Sequence, residues 1–460
     1  MLRIILLLLM GFTGTVWAQS PLPVQERMLS NGMKVIVKED HRAPIAVSQV
    51  WYKVGASYEP NGITGISHAL EHMMFKGTEK YGPNQFSEII AEQGGRENAF
   101  TGRDYTAYFQ TLASDRLEIA FELEADRMRN LTLDKGEFAK EIKVVQEERR
   151  LRTEDKPKSL TYEQFSATAY RVSPYRNPVI GWMNDLENMQ IEDLEKWYQR
   201  WYAPNNATLV VVGDVDPENI FAMAEKYFGP LKKSELIPLK PELEPAQRGM
   251  TRLTVKAPAR QPYLLMGFKT PVVGKLEEEW EPYALEMLAA VLDGGSSARI
   301  SKELVRGKEI AVTAGADYGA FSRLPGMFTL DGIPNKGHDI AELEKALLDQ
   351  VEKIKKEPVS ELEMERVRNQ LLASKVYERD SVFYQAMQIG VLETIGLDWR
   401  LAEDYVERMK KVTAEQVMTV AKRYLREDNL TVAELDPQPM DEKKGFARRP
   451  KIGVGGRHGG

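Results

Sequence analysis

Apolar positions in this chain recur at two spacings, and the alternation between them marks out the elements. Short apolar runs predict strands at about 33–39, 45–54 and 105–112, the first two as a hairpin-like pair. Longer segments with one apolar face predict helices near 84–94, 114–129 and 135–152. Another helix is expected through residues 66–74, where Ile66, Ala69, Leu70, Met73 and Met74 are apolar and Gly77 offers a stop. Strands and helices follow no regular βαβ rhythm, so the fold class is α+β and not a doubly wound sheet.

The two halves of the pattern echo each other. A polar-started amphipathic helix near 191–201 leads into the strand Ala207–Val212 and then Gly213-Asp214-Val215-Asp216-Pro217. A second such helix near 413–424 leads into Asn429–Leu435 and then Asp436-Pro437. Between the halves Pro238, Pro241 and Pro245 interrupt a polar stretch. The expected organisation is a leader at 1–18, a first domain at 19–235, a linker at 236–250, a homologous second domain at 251–437 and a tail at 438–460. Gly294-Gly295-Ser296-Ser297 lacks the Gly-Lys-Ser/Thr ending of a phosphate loop and reads as a plain turn.

Composition narrows the function classes. The 62 basic and 68 acidic residues give a mildly negative chain with no basic stripe, which argues against nucleic acid as a partner. Cysteine is absent, so there is no disulfide framework and no thiolate metal site. The start Met1-Leu2-Arg3, an apolar run from Ile4 to Met10 and Val16-Trp17-Ala18 read as a secretory signal, expected to be cut after Ala18. The run is too short to span a bilayer and no later stretch is long enough, so no membrane segment is expected. The chain is expected to be exported, to the periplasm of a Gram-negative cell. Sequons at Asn130, Asn206 and Asn429 matter only in a glycosylating host.

The chemistry concentrates in His68-Ala69-Leu70-Glu71-His72, an H-x-x-E-H motif. Histidines four apart on a helix project from one face, where neutral imidazoles share a Zn²⁺. Glu71 lies beside that face, within reach of a proton on a water at the metal. A histidine pair on a helix is usually surface or a satisfied core group. Here the chain has five histidines in all, two of them at ligand spacing with a glutamate at the required offset, on an otherwise apolar helix that needs its polar groups paired. A catalytic zinc needs a third protein ligand. The helix at 135–152 offers Glu137, Glu141, Glu147 and Glu148. Glu141 and Glu148 are two turns apart and share a face, but periodicity alone does not choose among Glu141, Glu147 and Glu148.

His68 and His72 with a distant Glu141…Glu148 resemble the inverzincin metallopeptidases of the pitrilysin/insulinase group, which includes mitochondrial processing peptidase. The resemblance extends to Gly65-Ile66-Ser67-His68, Phe75-Lys76-Gly77-Thr78, Asn98-Ala99-Phe100-Thr101, Pro174-Tyr175…Pro178…Gly181 and the Asn206…Gly213-Asp214 strand. It implies two homologous domains, each a mostly antiparallel sheet packed with helices, together forming one half of a clamshell. It also implies one zinc per chain held by His68, His72 and Glu148, with Glu71 as general base and Glu141 as a carboxylate that orients a ligand. Asn98, Ala99, Phe100 and Thr101 would form an edge strand that pairs with an extended, unfolded peptide. The second half repeats the metal helix as Tyr283-Ala284-Leu285-Glu286-Met287, with both ligand positions lost.

Two departures shape the expected function. At 460 residues the chain is about half the length of single-chain members, which enclose substrate between two half-shells. The family's substrate-contacting Arg and Tyr, seven residues apart, correspond here to Arg306 and Thr313 (or Val312), and Tyr318 is too far along to substitute. A homodimer would lack the pair. The expectation is therefore a zinc endopeptidase subunit working in a heterodimer whose partner supplies Arg and Tyr. The competing readings are a non-catalytic core or scaffold subunit of the same fold, and a module that binds peptides without cutting them.

Overall fold

The computed structural model describes residues 24–275 and 279–440. The leader expected at 1–18, and all but the first three residues of the tail expected at 438–460, lie outside the described residues. Strands β1 (Val24–Met28), β2 (Lys34–Glu39), β3 (Ile45–Tyr52), β4 (Arg96–Thr101), β5 (Thr106–Ala113) and β6 (Ala207–Gly213) build a six-stranded sheet in the order β1-β2-β6-β3-β5-β4. Strands β7 (Thr251–Pro258), β8 (Tyr263–Thr270), β9 (Ala311–Tyr318), β10 (Gly326–Pro334) and β11 (Leu430–Gln438) build a five-stranded sheet in the order β7-β11-β8-β10-β9. Without β1 the two orders coincide strand for strand. Each contains one parallel pair, β2 with β6 or β7 with β11, in an otherwise antiparallel sheet. This common topology supports the duplication read from the sequence, and the mixture of helices with two mostly antiparallel sheets is the α+β architecture expected.

The pairing of β2 with β3 as a hairpin is corrected. β6 lies between them, parallel to β2 and antiparallel to β3. All seven residues of β6 are buried. A strand apolar on both faces gains most in the middle of a sheet, and that burial outweighs the shorter loop of a local hairpin.

Helices in the first half are α1 (Ile66–Met73), α2 (Gln85–Glu92), α3 (Leu117–Arg129), α4 (Lys135–Arg149), α5 (Pro157–Ala169), α6 (Met183–Asn188), α7 (Ile191–Trp201) and α8 (Pro217–Tyr227). The second half has α9 (Trp280–Asp293), α10 (Ile340–Lys356), α11 (Glu361–Glu378), α12 (Val382–Thr394), α13 (Leu401–Lys410) and α14 (Ala414–Tyr424). One face of the first sheet packs Val35, Val37 and Val50 against Leu70, Phe121 and Trp197 from its own helices. One face of the second packs Met266 and Phe268 against Leu285, Leu347 and Val417.

The opposite faces are covered by exchange. Ala386 and Ile389 of α12, from the second half, cover Ile36, Trp51 and Val210 of the first sheet. Phe165 and Ala169 of α5, from the first half, cover Tyr263, Leu265 and Leu435 of the second. Each crossing depends on a glycine. A β-carbon on Gly390 would lie 2.1 Å from the Trp51 indole, and one on Gly267 would lie 2.5 Å from the Phe165 ring. A polar clasp adds to these contacts. Arg323 Nε donates to Asp104 Oδ1 at 3.2 Å and its Nη2 to Ser57 Oγ at 2.7 Å.

The stretch expected as a linker is tied down. Glu244 accepts the backbone N–H groups of Val172 and Ser173, both at 2.9 Å, and the Lys269 ammonium at 2.6 Å. Gln247 is buried and donates to the Leu430 carbonyl at 2.8 Å. The segment is a strap across both halves and not a free tether.

Candidate metal centre

The helix that carries the motif begins at a glycine pair. Gly65 has φ 85°, and a β-carbon there would stand 2.6 Å from the Ile180 carbonyl oxygen. Gly181 meets the Thr64 backbone as closely from the other side. Only residues without side chains let the 177–181 loop approach the start of α1. Glu59 supplies the missing cap, accepting from Gly65 N at 2.6 Å and Ser67 N at 2.8 Å. Burial pushes the Glu59 carboxyl up to about 7, against the pull of those two N–H groups. Ile66, Leu70 and Met73 then face the core. His68, Glu71 and His72 face α4 and β4.

Helix α4 is capped by Asp134, whose side chain accepts from Glu137 N at 2.8 Å. Val145 is buried and Val144 exposed, so the two valines do not share a face. The glutamates separate in the same way. The Glu147 side chain is 59% exposed and pairs with Arg150, whereas Glu141 and Glu148 are 13% and 14% exposed and turn toward α1. Packing thus sets Glu147 apart and brings both Glu141 and Glu148 to the side of α1.

Glu148 Oε2 lies 3.4 Å from His72 Nε2 and 3.8 Å from His68 Nε2. One donor atom from each of His68, His72 and Glu148 falls within 4.8 Å of the others. A tetrahedral zinc with ligand bonds of about 2.0–2.2 Å spaces its donors about 3.3–3.6 Å apart, so this donor set fits such an ion after slight contraction. The other oxygen of Glu148 takes Arg152 at 2.8 Å. The other nitrogen of His72 meets Glu141 Oε1 at 2.8 Å, and Glu141 Oε2 takes Lys76 at 2.7 Å. A carboxylate so placed fixes the ring's tautomer and turns its Nε2 toward the centre.

The electrostatics favour a cation among these groups. Burial opposes charge on the His72 ring, but the Glu141 and Glu148 carboxylates outweigh it and raise its pKa to about 9. Burial also opposes charge on Glu148, yet His72, His68 and Arg152 hold it at about 2. Glu71 behaves otherwise. Its burial pushes the carboxyl up, and the Thr101 hydroxyl at 2.5 Å only partly offsets this.

Of the expected substrate strand, Asn98, Ala99, Phe100 and Thr101 all lie in β4, the last strand of its sheet, paired on one side with β5. Ala99, Phe100 and Thr101 line a cavity of about 600 Å³ together with His68, Glu71, His72 and Glu148. Asn98 is not part of that lining. In the second half Tyr283 and Met287 are buried among apolar side chains, and Glu286 accepts the Tyr405 hydroxyl at 2.6 Å. Arg306 hydrogen-bonds the Ser296 carbonyl, in the turn expected there, and Tyr318 donates to the Pro271 carbonyl at 2.6 Å.

Sequence reasoning missed the residues that support the centre. Arg152 was legible, since it follows Glu148 by four on the same helical path. Lys76, Glu59 and the Thr101 contact to Glu71 join different elements and carry no local signal.

Comparison with known proteins fits this geometry. Residues 34–182 match the family described as insulinase, peptidase family M16, and residues 188–371 match the peptidase M16 inactive domain. A zinc protease of Helicobacter pylori, PqqE, is 31% identical over 94% of this chain and 97% of its own. The crystal structure of a protease from Helicobacter pylori superposes with a TM-score of 0.86 at 29% identity, covering 91% of this chain and 100% of that one. The periplasmic protease PqqL from Escherichia coli shares the fold, with a TM-score of 0.77 at 18% identity. It covers 92% of this chain, which spans 50% of PqqL.

Proposed function

The chain belongs to the insulinase family, peptidase family M16, and on that premise we propose that it is the zinc-bearing subunit of a heterodimeric endopeptidase that cleaves unfolded peptides. The observation that carries this reading is the convergence of His68, His72 and Glu148 beside Glu71, in a cavity bordered by an open sheet edge. The zinc-protease name of the Helicobacter pylori relative supports the choice of metal.

His68 Nε2, His72 Nε2 and Glu148 Oε2 would hold the ion. When bound, zinc supplies Lewis acidity, which acidifies a water and polarises the scissile carbonyl. Glu71, buried and with its pKa raised, takes the proton on a carboxylate oxygen and returns it to the leaving amine. Thr101 holds Glu71 Oε2 and so links the base to the strand that seats the substrate. The open side of β4 offers main-chain donors and acceptors to an extended peptide, which reads little sequence and requires an unfolded substrate.

The departure at Thr313 favours a partner chain that supplies the Arg/Tyr pair, with a homodimer and a non-catalytic subunit as the competing arrangements. None of the described helices is long and apolar enough to cross a membrane. Export to the periplasm is part of the same proposal. The test is metal content followed by co-purification. The folded full chain should carry one zinc, lost in His68→Ala or Glu148→Ala, and the isolated complex should cleave an unstructured peptide until a chelator is added. A chain that takes up no stoichiometric metal refutes the peptidase reading. Full specific activity of the chain alone refutes the heterodimer.

A further inference from the structure

The cavity beside the metal triad is more positive than its chemistry requires. Its carboxylates are already engaged. Glu148 takes Arg152, Glu71 takes the Thr101 hydroxyl, and Glu163 is held by Arg149 at 2.7 Å. The lining also contains Arg103, Lys158 and Arg176, and among the described residues none of the three is in direct ion-pair contact with a carboxylate, although Lys158 acts on Asp331 from a longer distance. Arg103 is half-buried. Its Nη2 donates to the Tyr162 hydroxyl at 3.0 Å, and its guanidinium lies 5.0 Å from the centre of the Tyr175 ring. The Lys158 ammonium lies 4.8 Å from the Tyr263 ring. Arg176 donates at 3.3 Å to Asn61 and to the Arg171 carbonyl. A guanidinium has five N–H donors in a fixed fork, and Arg103 spends one on a neutral oxygen. Partial burial without a counter-charge is costly unless something negative arrives.

Resting on the peptidase reading above, we propose that this cavity is a carboxylate subsite, in which Arg103, assisted by Lys158 and Arg176, receives an acidic group of the peptide. The position follows from the cavity. Arg103 lies in the turn that joins β4 to β5, two residues beyond Thr101, whose hydroxyl holds the proposed base, and it lines the same cavity as His68, Glu71 and His72. The recognised carboxylate therefore belongs to a part of the peptide close to the bond to be cut. Pairing with the main chain of β4 is blind to sequence, so this subsite provides selectivity that the strand does not. The carboxylate can be an Asp or Glu side chain, or the free C-terminus of a short peptide.

The test measures binding, so it does not depend on turnover. Fluorescently labelled unstructured decapeptides are titrated against the metal-free full chain and followed by anisotropy. One arm scans Asp against Asn along the peptide, and the other compares a free-acid with an amide C-terminus. The expected result is about tenfold tighter binding of one carboxylate form over its neutral counterpart, weakening as salt is raised. The arm that shows the preference identifies its source. Arg103→Gln should bring the ratio to about one. Lys158→Gln, at an exposed position that does not threaten the fold, should reduce the ratio about threefold. Equal affinity in both arms, including no binding of any peptide at millimolar concentration, overturns the proposal. So does a preference that survives both substitutions. Failure of zinc uptake or cleavage leaves this measurement unaffected, so the two readings fail separately.

Discussion

Glu71, buried, and Glu148, half-buried, are carboxylates on facing helices, and their surroundings drive their pKa values apart. Glu148 has two imidazoles and Arg152 as neighbours and stays ionised to about 2. Glu71 is almost wholly buried with a neutral hydroxyl as partner, and its pKa rises. One is suited to hold a cation and the other to exchange a proton. Glu71→Gln should therefore keep one zinc per chain by metal analysis while the assembled enzyme loses about 10²- to 10⁴-fold in turnover. Glu141→Gln leaves His68, His72 and Glu148 in place but removes the charge behind His72, so zinc affinity should drop about 10- to 100-fold in a competition titration. At this scale the sequence was most readable, because two of the proposed ligands and the proposed base occupy five consecutive residues on one helix. The proposed third ligand was ambiguous on its own helix. What selects Glu148 over Glu147 is which side of α4 faces α1, a property of packing between segments far apart in the chain.

The elements themselves were legible where their pattern is local. The helix at Ile191–Trp201 and the strand at Ala207–Gly213 fall where apolar periodicity puts them. The false hairpin of β2 with β3 has a clear cause, since the strand that separates them is encoded some 160 residues later. The linker shows a similar limit. Its prolines mark a boundary, but nothing in its composition announces that Glu244 will fasten both halves. Glu244 is partly buried, and three backbone N–H groups with the Lys269 ammonium hold its pKa at about 2. A carboxyl depressed in the folded state contributes stability that is full above its unfolded value of about 4.5 and fades as pH falls toward 2. Allowing for solvent screening, the contribution is about 1–2 kcal/mol. Glu244→Gln should lower the thermal midpoint at pH 7 and narrow the gap to wild type near pH 2–3, as followed by circular dichroism.

At the scale of the molecule, the exchange of α5 and α12 was not legible, because an apolar helix face does not say which sheet it will cover. Its consequence is measurable at Gly390. Alanine in a helix gains about 1 kcal/mol in propensity over glycine, whereas forcing a methyl into the Trp51 indole costs about 1–3 kcal/mol or more. With a separation of 2.1 Å the clash prevails, so Gly390→Ala should lower the midpoint of unfolding in calorimetry without changing zinc stoichiometry. Residues 24–235 expressed alone would leave Trp51, Ile36 and Val210 bare to water, and should aggregate or bind a hydrophobic dye.

Halves that each lend the other a helix cannot swing apart like two leaves of a book without tearing both cores. The chain should therefore melt in one step. If the proposed zinc and partner subunit hold, the door that admits a peptide opens at the seam between subunits and not inside this one.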